Sequence, residues 1–132
     1  MIYCVDTDIL IEYFRGNKKI KKRINALSDE DSIGITWLSF YEFFKSISVS
    51  GKLMEESFLQ KLLDTSLILE LSYESTKIGG EIYAFLKRKG QLINDADILI
   101  ASIAKNYEAI LVTNNISHFS RIEGLKIENW LS

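Results

Sequence analysis

The stretch most suited to chemistry follows the first apolar run of the sequence. Ile2–Val5 is short and apolar, and two carboxylates on either side of a hydroxyl come directly after it, as Asp6, Thr7 and Asp8. In an open α/β sheet, the carboxyl ends of the strands face the crevice in which ligands bind. Carboxylates at that edge favour metal or phosphate chemistry. The alternative is that Asp6 or Thr7 only caps the next helix, since both residue types are common N-caps.

Asp97 is predicted to be a carboxylate on an apolar helix face. Its neighbours one helical turn away are all apolar, namely Ile93, Ile100 and Ala101. An unpaired charge buried there would cost on the order of several kcal/mol, and a bound cation would remove that cost. Asp95 does not share this face, because residues two positions apart on a helix do not face each other. We expect Asp95 to be an N-cap or a first-turn charge that meets the helix dipole.

Two further polar groups follow predicted strands. Glu42 is expected in a helix over Trp37–Ser50, just after the second strand, and an ordinary surface pair with Lys45 is its alternative interpretation. The segment Thr113–Asn115 ends the fourth predicted strand, again at the edge where ligands collect. A turn stabilised by its asparagine side chains is the alternative there.

Asp6, Glu42 and Asp97 come from three separate elements, each just beyond a strand or early in the following helix. Oxygen ligands without histidine or cysteine suit Mg²⁺ or Mn²⁺, which keep waters and bind substrate phosphates. Such a cation lowers the pKa of a bound water and stabilises charge that develops on a phosphoryl oxygen. The sequence therefore predicts hydrolysis of a phosphodiester or a phosphomonoester, and the spacing does not say which.

Short apolar runs that alternate with helical patterns must position these groups. Such runs are typical of parallel strands covered on both faces, and the alternation implies right-handed crossovers. We therefore predict a single three-layer α/β/α domain over residues 1–132, with a central, mostly parallel sheet of four to five strands. The predicted strands are Ile2–Val5, Ser32–Ile35, Leu67–Leu71, Ala109–Thr113 and a weaker Leu125–Glu128.

Composition excludes several classes of protein. No apolar run is long enough to span a membrane, and the first residues lack the basic segment and cleavage site of a signal peptide. The one cysteine, Cys4, excludes an intramolecular disulfide framework and a cysteine-rich zinc site; we expect it to be a buried apolar residue in a cytoplasmic protein. A formal net charge of −2 does not by itself indicate a nucleic-acid-binding protein.

Several motifs along nearly the whole chain resemble the PIN domain family, and more narrowly the VapC-type toxins of bacterial and archaeal toxin–antitoxin pairs. The first motif alone is a weak signal, and the order and intervals of all of them together make a strong one. The segments that carry the resemblance are Val5–Ile11, Phe14–Gly16, Ser39–Phe43, Asp97–Ser102, Leu111–Asn115, His118–Phe119, Gly124–Leu125 and Asn129–Trp130.

The resemblance implies a metal-dependent endoribonuclease, with Mg²⁺ or Mn²⁺ as its cofactor, that is restrained by a small VapB-type antitoxin. Carried over by motif, Asp6, Glu42 and Asp97 are the metal-binding and catalytic carboxylates. Thr7 and Thr113 are expected to orient ligands or waters from behind them.

The resemblance is imperfect at one position. The family often has a fourth acid where this chain has Asn115, which we count with the catalytic residues. Loss of that charge predicts weaker binding of a second metal, and Asp8 or Asp95 could compensate from behind the ligands. Many relatives also carry an acid near His118, which is expected here to be a loop residue.

Basic residues are expected to guide RNA to this acidic site, which repels phosphate until a cation is bound. Arg15 and the cluster after it follow the first strand closely and form the first choice; Lys87–Lys89, which includes Arg88, is the second. A solvated helix face is the ordinary alternative for either group. The cluster after Arg15 consists of Lys18, Lys19, Lys21, Lys22 and Arg23.

An aromatic-rich segment indicates protein partners. The rings of Trp37, Phe40, Tyr41, Phe43 and Phe44 cover more than one face of the predicted helix, so one stripe can meet the sheet and the rest need another cover. By resemblance, that cover is a second copy of the chain, giving a homodimer, and a helical stretch of the antitoxin. Additional packing in the core is the alternative.

Two other functional classes stay open. Asp6–Asp8 is also similar to the nucleophile pair of haloacid-dehalogenase-like phosphatases, which usually follow the second aspartate with a small residue and then Thr or Val. This chain has Ile9 and Leu10 there. The non-enzymatic alternative is a degenerate nuclease fold kept as an RNA-binding or antitoxin-binding module. The complete set of matched carboxylates argues against that alternative, and Asn115 argues for it.

Overall fold

A parallel five-stranded sheet forms the centre of the computed structural model, which describes residues 1–50 and 55–132. The elements in chain order are β1 (Ile2–Val5), α1 (Thr7–Phe14), α2 (Lys18–Asn25), β2 (Ser32–Thr36), α3 (Trp37–Ser50), α4 (Glu55–Thr65), β3 (Leu67–Leu69), α5 (Tyr73–Arg88), α6 (Asp95–Asn106), β4 (Ile110–Val112), α7 (Ile116–Phe119) and β5 (Lys126–Glu128). Within the described ranges, no helix is both long and apolar enough to cross a membrane.

The strand order is β3-β2-β1-β4-β5, and every neighbouring pair is parallel. The predicted α/β fold with a central parallel sheet is confirmed. β3 ends two residues earlier than predicted, because Leu69 pairs with Thr36 and the partner strand turns into α3 directly afterwards. The chain proceeds from β1 to one side through β2 and β3, and β4 and β5 lie on the other side. The carboxyl ends of β1 and β4 therefore border the topological switch point, where crevices form in open sheets.

Two apolar cores cover the two faces of the sheet. Cys4 belongs to one and the adjacent Val5 to the other; Leu111 and Val112 divide in the same way. This is expected of strands, whose successive side chains point to opposite faces. Cys4 is a buried free thiol, as predicted. The first core lies under α5 and α6, and the second lies under α1 to α4, so both sides of the sheet are covered at the level of the crevice.

Candidate active site

Asp6 stands at the end of β1 and uses both carboxylate oxygens. Its Oδ1 accepts a hydrogen bond from the backbone N–H of Thr7 at 2.9 Å, as the N-cap of α1. Its Oδ2 accepts a hydrogen bond from the hydroxyl of Thr113 at 2.8 Å, at the end of the neighbouring strand β4. Capping and a place in the crevice are thus combined in one side chain.

Burial is the main influence on the charge of Asp6, which is 6% exposed. Burial, followed by the negative charges of Asp8 and Asp97, raises the pKa of Asp6 to about 7, although hydrogen bonds from Thr113 and Thr7 act to lower it. Asp6 is therefore a carboxyl group whose ionised form lacks a positive partner.

Thr7 connects Asp6 to the second predicted carboxylate. Its hydroxyl donates a hydrogen bond to Oε1 of Glu42 at 2.9 Å, from α1 to α3. The alternative surface pair of Glu42 with Lys45 is absent from the ion pairs of the described residues; the Lys45 ammonium instead lies over the ring of Tyr41, 5.5 Å from its centroid. Glu42 is half-buried and directed at the β1–α1 junction.

Asp97 is buried in the first turn of α6, as predicted from its apolar neighbours. Asn94 holds it in place: the Asn94 Oδ1 accepts from the Asp97 N–H at 2.8 Å, and the Asn94 amide donates to the Asp97 Oδ2 at 3.2 Å. Sequence reasoning missed Asn94, although an Asn three residues before an acid is a recognisable N-cap pattern.

Asp95 does not join the other carboxylates. It is exposed in the first turn of α6 and borders a shallow groove with Gly79, Tyr83 and Leu99. Two helical positions separate it from Asp97 by about 200° around the axis, so the two carboxylates point to different sides. The prediction that Asp95 supports the ligands is therefore wrong, and the N-cap of α6 is Asn94.

Asp8 and Thr113 stand directly behind Asp6, as expected. The buried hydroxyl of Thr113 lies 2.8 Å from Asp6 and 3.5 Å from Asp8, so its single hydrogen goes to Asp6. Asp8 Oδ2 accepts from the backbone N–H of Asn114 at 3.0 Å, and Thr113 Oγ1 accepts from that of Asn115, also at 3.0 Å. Burial raises the pKa of Asp8 as well, against the lowering influence of these hydrogen bonds.

His118 is not the loop residue expected from the sequence. It lies in the short helix α7, with its Nδ1 3.2 Å from Oδ2 of Asp97 and 2.9 Å from the amide nitrogen of Asn115. The cause is its neighbour Phe119, which is fully buried in the core and fixes the direction of the helix. His118 therefore adds a nitrogen to the site.

We name the carboxylates Asp6, Asp8, Glu42 and Asp97 the acidic cleft. In the part of the chain that is described, no Lys or Arg forms an ion pair with any of them, and His118 is the one cationic residue type within ion-pair distance. Three acidic or histidine side chains do not converge tightly enough, among residues 1–50 and 55–132, to make a preformed metal cage. The donor set nonetheless fits Mg²⁺, which binds through one or two carboxylates and keeps several waters.

The first-choice basic group lies mostly away from the acidic cleft. Asp6 caps the start of α1 and Arg15 follows its end, about 12 Å along the helix. Arg15 pairs with Glu12 at 3.0 Å, and Arg23 pairs with Glu128 at 2.6 Å.

The remaining first-choice lysines divide between a partnered and an open set. The ammonium of Lys19 donates to the carbonyl of Leu131 at 3.2 Å. Lys18, Lys21 and Lys22 are exposed and border an open groove along α2.

The second-choice group Lys87–Lys89 lies closer to the acidic cleft. It ends α5, and residues 89–94 lead directly to the start of α6, which packs against α5 and carries Asp97 in its first turn. Lys87 and Lys89 lie over the rings of Tyr83 and Phe85, and Arg88 is exposed at the same helix end.

Comparisons with known proteins agree with this architecture. The model of the PIN domain family matches residues 3–125. Ribonuclease VapC2 of Rickettsia felis is 34% identical over 98% of this chain and 98% of its own length, and Ribonuclease VapC1 of Methanocaldococcus jannaschii is 36% identical over 93% and 84%. A crystal structure of VapBC2 from Rickettsia felis bound to a DNA fragment from their promoter has a chain that superimposes with a TM-score of 0.90, at 33% identity, covering 98% of this chain and 99% of that one.

The family match spans β1 through the segment before β5, and so it includes every residue of the acidic cleft. The full-length relatives carry the same resemblance through to the C-terminal strand. The chain belongs to the PIN domain family, in its VapC-type branch.

Proposed function

We propose that this chain is a metal-dependent endoribonuclease and the toxin of a type II toxin–antitoxin pair, acting in the cytoplasm. The observation that carries the proposal is the acidic cleft itself. Asp6 is buried beside Asp8 and Asp97 with no Lys or Arg partner in the described ranges, and its raised pKa reflects that missing positive charge. The names of the relatives support RNA as the substrate, since they are called ribonucleases.

Asp6, Glu42 and Asp97 would hold Mg²⁺ or Mn²⁺. When bound, the cation lowers the pKa of a water and shields the charge on the phosphoryl oxygens. The residues behind the ligands fix their direction: Thr113 holds one oxygen of Asp6, Thr7 holds Glu42, and Asn94 holds Asp97.

The expected products follow from attack by water. In-line displacement at phosphorus leaves a 3′-hydroxyl on one fragment and a 5′-phosphate on the other. Asn115, which lies beside His118 at the edge of the acidic cleft, is neutral where the family often has an acid, so we propose that the first cation binds more tightly than a second.

Basic residues around the acidic cleft are proposed to bind the RNA backbone. The positions of Lys87, Arg88 and Lys89 at the end of α5 nearest Asp97 support this second group more than the first. Arg15 and Arg23 already pair with Glu12 and Glu128, which leaves Lys18, Lys21 and Lys22 as the available part of the first group.

Helix α3 supports the proposed partners. Phe40 and Phe43 are buried in the core, whereas Trp37, Tyr41 and Phe44 form an exposed stripe at i, i+4 and i+7. We propose that this stripe is covered by a second copy of the chain in a homodimer, next to a helix of a VapB-type antitoxin. The similarity to chains from VapBC complexes supports the antitoxin.

Mapping the termini of cleaved RNA tests the proposed reaction. Purified chain is incubated with a single-stranded or looped RNA and Mn²⁺ or Mg²⁺, and the fragments are sequenced after ligation that depends on a 5′-phosphate. We expect fragments with 5′-phosphate and 3′-hydroxyl ends and none in excess EDTA. Fragments ending in 2′,3′-cyclic phosphate, or equal cleavage in EDTA, would contradict the proposal. A stable phosphate ester on Asp6 would instead favour the phosphatase alternative.

A further inference from the structure

His118 has no role in the proposed reaction, although it lies in the acidic cleft. Its Nδ1 is 3.2 Å from Oδ2 of Asp97, one of the proposed metal ligands. The ring is partly accessible, with 37% of the side chain exposed, so solvent and ions can reach it. The buried Phe119 next to it holds α7 against the core, which keeps the ring in this place.

The two contacts of Nδ1 make opposite demands on one atom. To donate a hydrogen bond to the Asp97 carboxylate, Nδ1 must carry a hydrogen. To accept one from the amide nitrogen of Asn115, which is 2.9 Å away, it must present its lone pair. With the lone pair exposed, the nitrogen and the Asp97 oxygen are two electron donors facing each other at 3.2 Å. A cation bound by both atoms satisfies this arrangement, with the Asn115 amide orienting the ring.

We infer that His118 Nδ1 is a nitrogen ligand of the divalent cation held by Asp97, and that it makes the site prefer Mn²⁺ to Mg²⁺. The inference rests on the proposed function, because it uses the same metal site. A set of oxygen donors alone suits Mg²⁺, whereas imidazole binds transition-metal ions and is a poor ligand for Mg²⁺. The single histidine therefore changes the selectivity of an otherwise all-oxygen cleft.

Pulsed electron paramagnetic resonance of bound Mn²⁺ tests the ligand directly. The chain contains one histidine, so an imidazole nitrogen coupling in the untagged full-length protein can come only from His118. We expect this coupling in the wild type and in Ser117→Ala, an exposed neighbour on α7, and not in His118→Asp or His118→Gln. Circular dichroism of each variant establishes that the fold is kept.

Calorimetric titration with Mn²⁺ and with Mg²⁺ gives the selectivity. In His118→Asp, which replaces nitrogen by oxygen, the ratio of Mn²⁺ to Mg²⁺ affinity should fall by about tenfold, in the range found when groups around metal sites are altered. Mn²⁺ bound by the wild type without nitrogen coupling, or an unchanged ratio in His118→Asp, would overturn the role of His118 and leave the proposed function intact. Absence of any Mn²⁺ or Mg²⁺ binding by the wild type would overturn both.

Discussion

Replacing Asp6 by Asn should stabilise the metal-free chain at alkaline pH, even though it removes a proposed ligand. The folded chain holds the Asp6 proton up to about pH 7, because burial and the charges of Asp8 and Asp97 raise its pKa. The unfolded chain releases that proton near pH 4, the ordinary range for Asp. The contribution of Asp6 to stability is therefore fully present below about pH 4 and is lost as the pH rises through about 7.

The size of this effect follows from the same pKa. Because a tenfold change in proton affinity corresponds to about 1.4 kcal/mol, the free energy of unfolding should fall by about 3 kcal/mol through Asp6 between about pH 5 and pH 8. Asn has the same shape and no charge, so Asp6→Asn should not show this fall. Its side-chain oxygen can still accept from Thr7 or Thr113, which donate to Asp6 in the wild type.

Urea unfolding in excess EDTA at about pH 5 and pH 8 measures the difference between the two chains. Groups other than Asp6 titrate in both and cancel, and the exposed Asp95→Asn serves as the control, which should follow the wild type. The same pH dependence in wild type and Asp6→Asn would refute the reasoning that Asp6 is a buried carboxyl without a positive partner. Added Mn²⁺ should then stabilise the wild type at pH 8 and have a smaller effect on Asp6→Asn, since a ligand stabilises only the form that binds it.

Three further predictions concern the residues around the acidic cleft and on α3. Thr113→Val keeps the shape of a fully buried side chain but removes the donor to Asp6 and the acceptor for the Asn115 N–H, so urea unfolding should show a loss of about 2 kcal/mol; an unchanged midpoint would refute it. Neutralising Lys87, Arg88 and Lys89 should reduce the slope of log affinity for single-stranded RNA against log salt by about 0.7 for each phosphate that the chain no longer neutralises, in filter-binding titrations with Asp97→Asn as background; the matched triple change at Lys18, Lys21 and Lys22 should reduce it less, and the reverse order would return the first group to preference. Tyr41→Lys, at a side chain that is 63% exposed, should convert a dimer to a monomer in size-exclusion chromatography with light scattering, and a monomeric wild type at micromolar concentration would contradict the proposed use of α3.

The sequence predicted those features that depend on local pattern and on the geometry of parallel sheets. Alternating apolar runs and helices were sufficient for the parallel sheet, and the apolar neighbours of Asp97 were sufficient for its burial. The placement of Asp6 beside Thr113 also follows from two neighbouring strands that end at the same edge.

Features that depend on a single long-range contact could not be predicted in this way. His118 reaches Asp97 because Phe119 is inserted into the core, a distance and direction that sequence spacing does not contain. Arg15 is adjacent to the first motif in the sequence, but α1 carries it to the far end of the helix. Asp95 failed for a different reason, since a better N-cap, Asn94, directly precedes it.

Cleavage of RNA as a function of divalent cation, compared between Asp97→Asn and Asp95→Asn, tests the central claim most directly. The two variants carry the same chemical change two residues apart on α6, one in the acidic cleft and the other exposed on another side of the helix. We expect cleavage by the wild type and Asp95→Asn to depend on Mn²⁺ or Mg²⁺, and Asp97→Asn to be inactive at every concentration while its circular dichroism spectrum stays that of the wild type. Full cleavage by a folded Asp97→Asn would contradict the account.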